Sequence, residues 1–173
     1  MLDQTALQQI GRLALDAVAI AWKAQGHNLT GKAIQELETR VIDVRGVTII
    51  QGYIVDYMAN INEGVPASRI PYSPGSGART SKYISGLIDY VKRRMGKSDR
   101  EAKSIAFAIA SKHKREGMPT KNSARFSSTG KRTGFIEAAL EGIEPKLAEM
   151  IELAVQESIE LVIESFFKTQ LGR

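Results

Sequence analysis

The chain has 173 residues, 43% of them hydrophobic and 25% charged, with a formal net charge of +5 at pH 7. That length and balance describe a folded globular protein with room for a core of its own. Cysteine is absent, which excludes disulfide staples, thiolate metal sites and a cysteine nucleophile and is compatible with a reducing compartment.

The charge is segregated. Residues 1–78 hold 6 basic and 7 acidic side chains, residues 79–133 hold 15 and 4, and residues 134–173 hold 3 and 8. A basic middle and an acidic tail can serve two partners, or meet each other across copies of one subunit. A basic loop region balanced by a solvated acidic helix face gives the same pattern. The apolar stretch Leu13–Trp22 carries Asp16 and lacks a basic start, so no secretory signal is expected. No run reaches transmembrane length, and no membrane partner is expected.

In chain order, Leu2–Gln25 has apolar residues at helical spacing (Leu7, Ile10, Ala14, Ala17, Val18, Ala21) and predicts an amphipathic helix ended by Gly26. Thr30 caps a short helix to about Glu36. Leu37–Val44 and Val47–Tyr53 are rich in β-branched residues and flank Arg45-Gly46, which predicts an antiparallel hairpin. Asp56–Asn62 reads as a short helix, and Ser68–Ala78, with its prolines and glycines, as a loop. Thr80 or Ser81 caps a helix to about Met95. Ser98 with Glu101 forms a capping-box signature for a helix to about Glu116. Thr120–Gly134 has no periodicity and predicts a loop. Phe135–Glu141 predicts a short helix, with Gly142 and Pro145 interrupting it and Pro145 opening a last helix to about Thr169. Leu147, Ile151, Ala154, Leu161 and Phe166 line that helix, and Val155, Ile159, Ile163 and Phe167 widen the stripe. A stripe that wide belongs either to a helix enclosed by its own domain or to one that also packs on a neighbouring subunit. The expected class is α+β, in one domain, 1–173. Its parts are a helix-plus-hairpin part (1–67), a basic helical insertion with loops (68–134) and an acidic C-terminal helix (135–173).

The residues hold little that a catalyst needs. His27 and His113 have no partner at metal-ligand spacing and are expected at the surface. No serine sits in a nucleophile elbow. Pro74–Thr80 has glycines but lacks the Gly-Lys-Ser/Thr ending of a phosphate loop. No metal, cofactor or catalytic residue is therefore assigned. The basic residues are the stronger signal. Lys92, Arg93 and Arg94 close one helix, Lys112, Lys114 and Arg115 close the next, and Lys121, Arg125, Lys131 and Arg132 punctuate the loop beyond. Cations at helix C-termini favour the helix dipole, so part of this pattern is local stability. The rest suits phosphates without sequence preference, or an acidic protein rim. Phe126 is the only aromatic among them.

Thr30-Gly31-Lys32-Ala33-Ile34 stand ahead of the hairpin, then Tyr57, Ile61, Glu63 and Gly64 with Val65-Pro66-Ala67, then Gly117-Met118-Pro119, Lys131, Arg132 and Gly134-Phe135-Ile136. Taken in order, these features resemble the head–tail joining (neck or tail-completion) proteins of tailed bacteriophages. The resemblance spans roughly residues 2–140. The long Pro71–Gly77 loop and the acidic C-terminal helix depart from it. The resemblance implies a structural virion protein, present in the host cytoplasm during assembly. It implies a closed ring of six or twelve copies that contacts other neck and tail proteins and surrounds the passing DNA. Tyr57, Ile61, Pro71, Tyr72, Phe126, Ile159, Ile163 and Phe167 are then the candidate assembly contacts. The ten cations above are candidates to face DNA or a partner. The Pro71–Gly77 and Met118–Lys131 loops are candidates to order on docking. The rival reading is a non-specific nucleic-acid-binding protein using the Lys92–Arg132 zone.

Overall fold

The computed structural model describes residues 2–75 and 81–171, with side chains described as far as residue 167. The protein mixes helix and sheet. Its elements are α1 (Gln4–Ala24), α2 (Lys32–Gln35), β1 (Glu38–Val44), β2 (Val47–Tyr53), α3 (Asp56–Glu63), α4 (Lys82–Met95), α5 (Asp99–Glu116) and α6 (Phe135–Leu171), with 3-10 turns at Ala67–Arg69 and Lys121–Phe126. The chain divides into two compact units. One comprises Met1–Ala21, Ile34–Val55 and Ile136–Arg173, and the other Trp22–Ala33 and Asp56–Phe135.

In the first unit, Asp3 caps α1 by accepting from the Thr5 and Ala6 amides, each at 3.1 Å, which satisfies two of the helix's orphan donors. β1 and β2 pair antiparallel from Glu38–Tyr53 to Val44–Val47 around the two-residue Arg45-Gly46 turn. Both turn residues have positive φ, 51° and 81°, the geometry that matches the twist of a tight hairpin. The hairpin lies against α1 where the helix carries Gly11: a Cβ there would meet Ile50 and Thr39 at 3.1 Å.

The last helix departs from the sequence expectation. Gly142 and Pro145 do not break it; α6 runs unbroken from Phe135 to Leu171 with Pro145 inside. Both residues are exposed. Glu141, whose carbonyl Pro145 leaves without an amide donor, is exposed as well, so the proline falls in a solvent-accessible turn of the helix.

In the second unit, α4 and α5 pack on each other. Ser81 caps α4 and Gly96 ends it in the left-handed conformation. Ser98 and Glu101 form the capping box of α5. Ala102, Ala106 and Ala110 recur every four residues along α5 and are fully buried, as are Ile84 and Val91 of α4. That small-residue stripe lets the two backbones approach. Val65 and Met118 exchange amide–carbonyl bonds of 2.6 and 2.8 Å. Gly117, at φ 81°, permits this bridge, since its Cβ would lie 2.7 Å from the Val65 carbonyl oxygen.

The end of α1 organises the rest of this unit. His27 N–H donates to the Trp22 carbonyl and Gly26 N–H to that of Lys23, the paired bonds of a Schellman cap. The Ala24 carbonyl accepts from both the backbone N–H and the hydroxyl of Ser128, each at 2.9 Å. The Trp22 ring packs edge-on to Phe135 at 5.2 Å, and Phe135 is fully buried.

A pair of glycine substitutions separates backbone strain from close approach. Gly31→Ala, at φ 77° with nothing within 4 Å, is expected to cost about 1–2 kcal/mol from conformation alone. Gly26→Ala, at φ 73°, would also drive its Cβ to 2.3 Å from the Phe126 carbonyl oxygen. It is expected to lower the urea midpoint clearly more than Gly31→Ala. Equal midpoints would show that the loop does not sit against α1.

Candidate functional site

The aperiodic 120–134 segment is held chiefly by polar contacts around the end of α1. Buried Gln25 donates from Nε2 to the Thr133 carbonyl at 3.1 Å. Its Oε1 lies 3.3 Å from His27 Nε2, and His27 Nδ1 lies 3.4 Å from Arg132 Nη2. A neutral imidazole protonated at Nε2 satisfies both contacts, donating to Gln25 and accepting from Arg132. Burial, then the Arg132 charge, holds His27 in that form, with its pKa lowered to about 4. The expectation of surface histidines is thus corrected for both. His27 is half-buried between Trp22 and Phe135, and His113 Nδ1 lies within hydrogen-bond distance of the Tyr83 hydroxyl, at 2.7 Å. Burial lowers the His113 pKa and raises that of Tyr83 to about 12. Among the described residues no three His, Asp or Glu side chains gather into a metal-binding group.

The ten candidate cations divide. Lys92 pairs with Asp99 at 2.6 Å, Lys112 lies 3.9 Å from Glu116, and Lys114 donates to the Ile70 carbonyl at 3.2 Å. Arg132 is half-buried against His27, and Arg125 stacks its guanidinium 4.8 Å over the Phe126 ring. Arg93, Arg94, Arg115, Lys121 and Lys131 are exposed, with no ion pair among the described residues. Burial lowers the Arg132 pKa, with Tyr90 opposing the shift and the Arg94 charge adding to it. Three of the zone's four carboxylates, Asp99, Glu101 and Glu116, lie in ion pairs with Lys92, Lys97 and Lys112. The surface that remains is cationic, and it also exposes Tyr90, Met95 and Phe126.

The candidate assembly residues divide as well. Tyr72 turns inward, its ring 6.3 Å from Phe107 and its hydroxyl accepting from Ser111 at 3.3 Å. Ile61 is half-buried, whereas Tyr57 and Pro71 are exposed. Ile159, Ile163 and Phe167 are exposed on α6. The Met118–Lys131 loop is ordered within its own chain by the Val65 bridge and the end of α1. Of the Pro71–Gly77 loop, residues 76 and 77 lie outside the described residues.

The far half of α6 is the most unusual surface. From Leu147 to Phe167 it carries five glutamates and no basic residue. Ala154 is 3% exposed, yet Leu161 is 62% and Phe166 60% exposed. Val155, Ile159, Val162 and Phe166, spaced four, three and four apart, form one seam, and all four are exposed. Val162 and Leu153 were missed among the apolar residues read from the sequence; the four-three-four spacing is the signal that finds Val162. Beside the seam, Leu2, Val155, Ser158, Ile159, Val162 and Ile163 line an open apolar groove of about 250 Å³. No helix among the described residues is long and apolar enough to cross a membrane.

Comparison of the chain with protein-family models, with curated proteins and with solved structures returns no match.

The protonation of His27 is directly measurable. By NMR, its ring carbon shifts are expected to hold their neutral values until pH approaches 4. Because the folded-state pKa lies below the unfolded value of 6.5, the unfolded chain binds the extra proton first. Stability is therefore complete above pH 6.5 and declines as pH falls toward 4. A midpoint near 6.5 for His27 would mean that the ring is solvated.

Proposed function

We propose that the chain is a structural subunit of a tailed-phage particle, a ring-forming neck or tail-completion protein that joins head to tail around the DNA channel. The observation that carries this reading is the far half of α6. It presents an apolar seam, Val155, Ile159, Val162 and Phe166, that is exposed among the described residues and interspersed with glutamates. A monomeric protein rarely exposes a contiguous apolar surface without a partner for it. The ordered series of short motifs from Thr30 to Ile136 supports the same reading. The role assigned is assembly: no catalytic residue, metal or cofactor takes part. The partners are further copies of the chain, other neck and tail proteins, and DNA in transit. The location is the virion, with the host cytoplasm as the site of assembly.

A second reading has one observation in its favour: the exposed Arg93, Arg94, Arg115, Lys121 and Lys131. If these five neutralise phosphates, duplex binding is expected to weaken with salt at a log–log slope of about −4.5.

Light scattering after size exclusion, alone and with duplex DNA at low and moderate salt, distinguishes the two. The joining role predicts a ring-sized species, or a monomer indifferent to DNA at physiological salt. A salt-sensitive DNA complex of a non-ring protein would replace it with the nucleic-acid reading.

A further inference from the structure

We infer that the acidic, apolar far half of α6 docks on the cationic surface of the α4–α5 unit in a second copy of the same chain. This rests on the assembly reading above and names the contact that would build it.

Three observations choose this occupant over others. Residues 147–167 carry five negative charges and no positive one. Seam-to-seam pairing of two α6 helices would therefore set glutamates against glutamates, and like charges brought together across an interface oppose it. A lipid surface is disfavoured for the same reason, because interfacial helices carry Lys and Arg on their polar face.

The chain itself supplies the complementary surface. In residues 79–133 basic residues outnumber acidic ones by 15 to 4, and ion pairs already occupy Asp99, Glu101 and Glu116. The same unit also exposes apolar side chains suited to a seam of Val, Ile and Phe. Tyr90 and Met95 are exposed on α4, and the Phe126 ring, 58% exposed, is backed by Arg125.

Burying the α6 seam supplies the non-directional attraction, and the charges set register and orientation. The contact joins two different patches. It is heterologous and generates a ring if the rotation closes, or a filament if it does not.

The test uses the full chain. Isotopically light and heavy copies are mixed, treated with a carbodiimide that joins carboxylates to lysine amines without a spacer, and read by mass spectrometry. Light–heavy links are expected between Glu152, Glu157 or Glu160 and Lys97, Lys103, Lys121 or Lys131.

In parallel, sedimentation follows three variants. Glu157→Lys/Glu160→Lys is expected to weaken self-association by about tenfold or more. Arg93→Glu/Arg94→Glu is expected to do the same, and mixing the two variants is expected to restore it. All four positions are exposed, so the variants are expected to fold, which circular dichroism checks. The third variant, Ile159→Ser, removes apolar surface without adding charge and is expected to weaken association at every salt concentration.

Self-association with links only elsewhere, or only between α6 helices, would overturn the docking and leave the joining role standing. A chain that stays monomeric at millimolar concentration would also overturn it, leaving the joining role to contacts with other proteins.

Discussion

A helix that ends inside a fold must find donors for its last carbonyls, and α1 ends where Trp22, Gln25 and His27 are wholly or partly buried. The Schellman bonds at Gly26 and His27 satisfy two of those carbonyls, and Ser128, about a hundred residues further on, satisfies a third. Gln25 then reaches the Thr133 carbonyl and, through His27, the side chain of Arg132. A segment that has almost no regular structure is thereby fixed at both ends of its path. It delivers Phe135 to the Trp22 ring, where α6 begins. The neutral state of His27 belongs to the same arrangement, because a charged imidazole would face the Arg132 guanidinium.

That arrangement also sorts the cations. A count along the chain treats Lys92, Lys114 and Arg132 as equal to Arg94 and Lys131. In the folded protein the first three are engaged by Asp99, the Ile70 carbonyl and His27. The positive surface available to a partner is therefore smaller than the sequence implies, but purer, since its carboxylates are largely engaged. On α6 the seam residues Val155, Ile159, Val162 and Phe166 are exposed. The helix is apolar on several faces, and the chain itself buries only part of it, at positions such as Ala139 and Ala154. An isolated helix half with this composition is marginal in water. Coverage by a partner would order it and exclude water from the seam.

The local grammar of the chain was readable in advance. Ser81, Gly96 and the Ser98–Glu101 box set the ends of α4 and α5, and Arg45-Gly46 set the register of the hairpin. Each rests on bonds between residues a few positions apart. Two features were not readable. The docking of residues 127–134 on α1 depends on partners about a hundred positions away, and side chains such as Ser128 and Gln25 carry no periodicity. The continuity of α6 through Gly142 and Pro145 depends on their being exposed, which the residue types do not specify. The candidate surface was partly legible. The acidic stripe was visible, and the four-three-four spacing could have found Val162, but which of its residues face solvent is a property of the packing, and Leu153 emerged only from the fold.

Hydrogen exchange across a concentration series tests the assembly claim most directly. If α6 is an interface, amides in residues 149–167 gain protection as the chain associates, and amides in 93–103 and 121–131 gain it over the same concentration range. Association that leaves the exchange of 149–167 unchanged would contradict the claim, because the exposed seam would then have no part in building the assembly.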